Sequence, residues 1–427
     1  MKSYVVLHAN GARNGRIAVA PRSFSRLRAV ARLSPPRAST QLPPGVPQLY
    51  RELLTRAQEQ QGEAPMKSPE WVIIPEGGAH LAVGYGDGYP FEIRERSGEP
   101  VATPFSLVLG RAFIGSDDGV WTQDVHLGWD GHKLPGSLPF RGTMVAAHLE
   151  REVLVSVVRV EPQGGYEGPN ASPRRLHAWA HRRAADGSWQ MIWQDSIEGS
   201  GSGAIRPSGQ VALVSSEGRL RVVGPETETK GRAIGHVDVQ TGVLAYDASA
   251  MSDGYVLVEP LRTWAPAPKP GGSGAALESA IRTFQSEQEA RSALYLNAPS
   301  STLEWKTGVV GLDFQGQARF RAEAPFRVLS PPIDASRGRV VVVGEGIGML
   351  ENGHWKWTLA STVRLFATAF DDGTLAVSAG PELWLVTPDG QKAVMAVPDG
   401  EAITTPPAIG ADGAVWVATP SQLFVAE

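Results

Sequence analysis

The chain has 427 residues, 42% of them hydrophobic and 20% charged, with 48 Gly, 33 Pro, 12 Trp and no Cys. That length holds two or three ordinary domains or one closed repeat structure, and the glycine, proline and tryptophan content favours many turns and half-buried strands. The missing cysteine excludes disulfides, thiolate metal sites, iron–sulfur clusters and a cysteine nucleophile, while the net charge of −4 is unevenly placed.

Residues 1–66 read as a basic arm. Between residues 1 and 51 stand Lys2, Arg13, Arg16, Arg22, Arg26, Arg28, Arg32, Arg37 and Arg51 with no acid, which leaves the remaining chain near −13. Such asymmetry predicts docking on an acidic surface: the protein's own body, a partner or nucleic acid. The apolar run YVVL at 4–7 is shorter than the roughly 7–15 residues of a secretory leader, and no stretch approaches the ~18 apolar residues of a membrane span. The expectation is a soluble, cytoplasmic protein. Within residues 3–20, SYVVLHA and GRIAVAP are strand-like and separated by the turn-rich NGARNG. A proline-rich connector follows, and 47–60 is predicted as a helix that starts at Pro47 and carries Tyr50, Leu53, Leu54 and Ala57 along one face.

From residue 67 to 427 one pattern recurs. PFSLVLGRAFIGSDDGVWTQD at 104–124, GAIRPSGQVALVSSEGRLRVVG at 203–224, FATAFDDGTLAVSAGPELWLVTPDG at 366–390 and TTPPAIGADGAVWVATPSQLFVAE at 404–427 share a plan. Each runs as an apolar strand, a Gly or Asp-Gly turn, a second apolar strand, a polar turn and a third strand, the signature of antiparallel hairpins. The glycine before the second strand recurs at Gly78, Gly110, Gly209, Gly254, Gly338, Gly373 and Gly413, with Arg151 in the same role. The spacing fits four-stranded propeller blades. Two wide gaps become regular once residues 161–174 are taken as an extended loop and 266–306 as an insertion. The insertion holds AALESAIRTFQSEQEARSAL, which is predicted helical with Leu277, Ile281 and Phe284 on one stripe. The fold expectation is therefore an all-β propeller of antiparallel four-stranded blades, eight by this spacing and seven if one gap is misread. Because the last repeat ends one strand short, SYVVLHA or GRIAVAP is expected to complete it, covering an edge that would otherwise invite aggregation.

The repeats PPAIGADGAVWVAT…QLFVAE and SLVLGRAFIGSDDGVW resemble those of the pyrroloquinoline-quinone-type β-propeller superfamily over about residues 70–427. That superfamily includes quinone-dependent alcohol and sugar dehydrogenases as well as non-enzymatic assembly scaffolds, so the resemblance implies a fold and not a chemistry. A dehydrogenase of this type would need a quinone in the central cavity, calcium beside it and an Asp base; the vicinal disulfide of the alcohol-oxidising members is impossible in a chain without cysteine.

Candidate chemistry is sparse. Asp117, Asp118, Asp371, Asp372 and Asp412 lie beside turn glycines, where Asp is favoured because it bonds its own backbone, and no calcium loop of the D-x-D-x-D-G kind is present. His177 and His181 would chelate zinc if RRLHAWAHRR were a helix. As a strand the segment separates the two rings by about 13 Å and leaves His177, Trp179 and His181 as a wet, aromatic outer face suited to contact. No Walker loop, dinucleotide fingerprint, nucleophile elbow or H-E-x-x-H occurs. The sequence therefore predicts a non-catalytic propeller without cofactor or metal, scaffolding protein partners in a larger bacterial-type complex. Its expected contacts are Arg22, Arg26, Arg28, Arg32, His177, Trp179, His181, Leu277, Ile281 and Phe284. The alternatives are a quinone-dependent dehydrogenase-like enzyme and nucleic-acid binding through the arm.

Overall fold

In the computed structural model, residues 4–5, 17–33, 68–75, 78–85, 91–102, 114–116, 118–122, 125–140, 142–150, 152–160, 175–199, 201–215, 217–243, 245–262, 305–335 and 338–427 are described. They form eight antiparallel sheets, seven of four strands and one of five, each built on a four-stranded propeller blade, and there is no helix among them. Blade 1 holds Trp71–Ile73, His80–Gly84, Phe91–Glu95 and Pro100–Ala102, and blade 2 holds Ile114–Ser116, Gly119–Trp121, His126–Gly128 and Lys133–Leu134. Blade 3 holds Thr143–Glu150, Val153–Val160, Arg175–Arg183 and Trp189–Glu198; blade 4 holds Gly201–Ile205, Val211–Ser215, Arg219–Thr227 and Ala233–Gln240. Blade 5 holds Asp247–Met251, Gly254–Arg262, Trp305–Leu312 and Ala318–Ala324; blade 6 holds Ile333–Asp334, Arg339–Val343, Gly346–Glu351 and His354–Ala360. Blade 7 holds Leu365–Ala369, Leu375–Ala379, Glu382–Val386 and Lys392–Ala396. Blade 8 takes Ala408–Ile409, Val415–Ala418 and Gln422–Ala426 from the end of the chain and Leu27–Arg32 from its beginning.

The strands are apolar on both faces because each blade is sandwiched between two others. Along Val153–Val160 the alternation splits cleanly. Leu154 and Val158 pack toward blade 2 with Trp121, Leu138 and Phe140, whereas Val155 and Val157 pack toward blade 4 with Ile205 and Leu213. A separate buried cluster of this kind fills the joint between blades 1 and 2, 2 and 3, 3 and 4, and 4 and 5. Four more fill the joints between 5 and 6, 6 and 7, 7 and 8, and 8 and 1. The ring is thus held by hydrophobic burial at every joint, the non-directional term that dominates folding.

Turn glycines set the hairpins. Gly373 has φ +88° and a Cβ there would stand 2.7 Å from the Ala335 carbonyl oxygen of blade 6, so glycine is required both by the turn and by the neighbouring blade. Gly78, Gly209, Gly338 and Gly413 lie in the same first connection of their blades, Gly254 opens the second strand of blade 5, and in blade 3 Glu152, next to Arg151, takes φ +66° in that connection. Blade 2 departs from the expectation: Gly110 lies outside the described residues, and the first hairpin is formed by Ile114–Ser116 and Gly119–Trp121. Its strands are only two or three residues long, so the spacing ruler lands in the wrong turn.

The closing strand is a correction. Neither SYVVLHA nor GRIAVAP completes blade 8; Leu27–Arg32 does, pairing antiparallel with Gln422–Ala426 from Leu27 opposite Ala426 to Arg32 opposite Gln422. The arginines that made this segment read as an arm are compatible with an outermost strand, which needs only a few inward apolar residues. Leu27 and Leu33 are buried in the joints on either side of blade 8. GRIAVAP instead supplies a strap over blade 7: the Ile17 amide donates to the Ala369 carbonyl at 2.8 Å and the Asp371 amide to the Val19 carbonyl at 3.0 Å. From SYVVLHA only Tyr4–Val5 is described, and it pairs with the first strand of blade 2. The predicted helix at 47–60 and the insertion with Leu277, Ile281 and Phe284 lie outside the described residues.

Candidate functional site

Antiparallel order gives the ring two unlike faces. In blades 1 to 7 the connections from first to second strand and from third to outermost strand lie at one rim, and in blade 8 the first-to-second connection lies there too. The connections from second to third strand, and from blade to blade, lie at the other. The first rim is a turn face, built of short, self-bonded turns. The Asp186 carboxylate accepts the Ser188 amide at 2.9 Å, Asp313 accepts the Gln315 and Gln317 amides at 2.9 Å, and Asp372 accepts the Thr374 amide at 2.8 Å. Asp372 and Asp412, weighed as metal ligands, thus serve their own turns, Asp412 accepting the Ala414 amide at 3.2 Å.

The second rim is the connecting face, and it is uneven. On blades 6 and 7 the second and third strands are joined by 344–345 and 380–381, but on blades 3 and 5 by 161–174 and 263–304. Segment 33–70, from blade 8 to blade 1, joins strand ends on the same face. In blade 5 the second and third strands outrun the first: Asp247, where the first strand starts, stands opposite Val258, yet the pairing continues through Glu259, Pro260 and Leu261 to Arg262 opposite Trp305. That overhanging hairpin points beyond the connecting face and leads directly into 263–304.

The arm arginines lie at the turn face and on the outer edge of blade 8. Arg22 approaches Asp412 at 3.8 Å, and Asp412 also takes Arg96 of blade 1 at 2.9 Å. Arg26 reaches Glu427 at 3.4 Å, and Arg28 bonds the same carboxylate, which it holds below the usual carboxylate range. Arg32 is exposed on the closing strand. These cations are therefore partly matched by acids of the ring itself.

His177, Trp179 and His181 share one face of Arg175–Arg183, as alternation requires. That face is not a wet outer surface, which corrects the expectation: it turns toward blade 2, with Trp179 packed on Phe140 at a ring separation of 6.3 Å. His177 stacks on Trp179 at 5.1 Å, and His181 meets it edge-on at 6.5 Å. Burial, and then the Arg175 charge, lowers the pKa of His177. Burial alone lowers that of His181 to about 4, and its Nδ1 has no hydrogen-bond partner among the described residues.

Two buried polar groupings escaped the sequence reading. At the turn-face end of the joint between blades 2 and 3, Asp118 accepts from Ser116 at 2.6 Å and from Arg183 at 2.8 Å, and lies 3.6 Å from His126. His126 is fully buried and stacks on Trp121 at 3.5 Å, while Arg183 covers the same indole at 4.6 Å. Burial alone would raise the Asp118 pKa, but the adjacent His126 and the hydrogen bonds from Ser116 and Arg183 outweigh it and hold the carboxylate ionised far below its ordinary range. In blade 1, Glu92 accepts from Tyr85 at 2.7 Å and from Arg94 at 2.7 Å, all three side chains being buried. Burial, followed by the adjacent Glu92 charge, pushes the Tyr85 phenol upward. The FEIRE alternation was the available signal for the Glu92–Arg94 pair; nothing local announced His126, whose partners come from other turns. Among the described residues no three His, Asp or Glu side chains converge as a metal site.

A scan against protein-family models and a search of curated proteins each found no match. Among solved structures, the WD40 β-propeller domain of Doa1 is similar at TM-score 0.42 and 8% identity, covering 84% of this chain and 93% of that one. Streptogramin B lyase is similar at TM-score 0.41 and 9% identity, covering 84% and 93%. BamB from Moraxella catarrhalis is similar at TM-score 0.34 and 11% identity, covering 85% and 84%. The likeness is one of fold, and the propeller assignment itself rests on the eight sheets and their eight joints.

Proposed function

We propose that this protein is a non-catalytic propeller scaffold that holds protein partners in a larger bacterial-type complex, and that the connecting face is its working surface. The observation behind this reading is the asymmetry of the rims. The turn face is closed by tight, internally bonded turns, whereas 33–70, 161–174 and 263–304 all leave from the opposite face, two of them from strands two and three of blades 3 and 5. Long connections on a rigid ring are where binding residues are commonly carried. The arginines Arg22, Arg26, Arg28 and Arg32 provide a secondary contact on the turn face and blade 8, within a local set of ion pairs that weakens any pull on a polyanion.

The test is a comparison of three baits in the native host: the wild type, a variant in which 264–303 is replaced by Asn-Gly, and a variant with Arg22→Ala and Arg26→Ala. Cross-linking followed by mass spectrometry should recover the same partner set with the first and third baits and lose it with the second. An unchanged partner set after replacement, or turnover of a substrate by the isolated protein, would defeat the proposal.

A further inference from the structure

We propose that the channel-side edge of blade 2 is an acceptor site for an extended peptide strand, occupied in this chain by its own residues Tyr4 and Val5. These two residues pair antiparallel with Ile114–Ser116, Tyr4 opposite Gly115 and Val5 opposite Ile114. The sheet order places them beyond the first strand of the blade, on its channel side, so blade 2 has five strands where the other seven have four. They also lie against Thr143–Glu150, the first strand of blade 3. Blade 2 does not need this strand, because Ile114–Ser116, Gly119–Trp121, His126–Gly128 and Lys133–Leu134 already make its four. Nor does the strand follow from chain continuity. Residues 4–5 lie on blade 2, whereas residue 17 is bonded to Ala369 in blade 7 and Leu27–Arg32 closes blade 8.

A first strand in a propeller exposes one row of backbone donors and acceptors to the channel, and such an edge is a template for another strand. Affinity then comes from main-chain hydrogen bonds and selectivity from alternate side chains. The resident pair defines the partner's chemistry: an extended segment in which an aromatic residue is followed by a β-branched one, as Tyr4 is by Val5, and the sequence SYVVLHA supplies a probe of that kind. Being tethered, the resident segment acts at high effective concentration and keeps weak competitors out. This site lies inside the ring and is independent of the connecting face.

The cysteine-free chain allows a clean test. In the full-length protein, Val5→Cys combined with Ile114→Cys should be bridged within one chain by a short, reductively cleavable bis-maleimide, read by intact mass and peptide mapping. A fluorescent SYVVLHA peptide is then titrated against the wild type, the bridged protein and the double variant Tyr4→Pro with Val5→Pro, which removes whichever of the two amides faces Ile114–Ser116. Binding to the double variant should be at least ten-fold tighter than to the wild type and absent from the bridged form. Failure to form the intrachain bridge, or binding that is equal across the proteins or missing from the double variant, would overturn the proposal.

Discussion

Asp118, half-buried, and His181, buried, are two ionisable groups with opposite fates. Asp118 keeps its charge because Ser116 and Arg183 donate to it and His126 stands 3.6 Å away, and replacing it by Asn removes that charge and turns one of its two acceptor oxygens into a donor facing Ser116 or Arg183. For a side chain still 31% exposed, the cost of Asp118→Asn at pH 7 should be about 1–3 kcal/mol in denaturant unfolding. The folded-state pKa is depressed, so this contribution is fully present above the unfolded value of about 4. It is lost as pH falls toward the folded pKa, and the gap between wild type and variant should narrow on going from pH 7 to pH 3. His181 has no such compensation: its pKa falls to about 4 because burial penalises the cation. Between that value and about 6.5 the unfolded chain binds the extra proton and the folded chain does not, so the wild type loses about 3 kcal/mol over that window. His181→Phe should flatten the loss; an unchanged pH profile would show that His181 stays hydrated.

The element on which the ring depends is Leu27–Arg32. Its apolar end does the work, since Leu27 is 5% exposed in the joint between blades 7 and 8. Leu27→Ala should cost about 2–5 kcal/mol by the usual transfer and cavity terms. Arg28→Ala removes an exposed pair with Glu427 and should barely move the melting temperature. Equal effects of the two substitutions would mean that the strand is held electrostatically. The sequence hid this element because its charges, Arg28 and Arg32, are those of an outer strand, whereas the more apolar GRIAVAP looked the better candidate and became a strap. Outer strands elsewhere share the polar habit: His354–Ala360 alternates exposed and half-buried positions.

At the scale of the whole molecule, eight hydrophobic joints and a two-ended blade make the ring one cooperative unit, while the longest connections start and end at one face. Replacing 264–303 by Asn-Gly retains Arg262 opposite Trp305 and should therefore keep a single unfolding transition within a few degrees of the wild type. Loss of folding would show that the segment is part of the core. The propeller was legible in the letters because period-two apolar runs separated by Asp-Gly and Ser-Gly turns are local properties, and local chemistry fixes hairpins before any blade meets another. Gly209, Gly338, Gly373 and Gly413 announced their turns for the same reason.

What the sequence by itself determined is the repeating unit: strands, tight turns, a blade count and the need for a strand from the other end of the chain. Only the tertiary structure decided which segment answers that need, that the His177–Trp179–His181 stripe faces a neighbouring blade, that Asp118, His126 and Arg183 meet, and that Tyr4–Val5 enters the channel. Each of these depends on contacts between residues far apart in the chain, where a burial or pairing preference is satisfied by whichever surface the closed ring brings near, and no local pattern encodes that meeting.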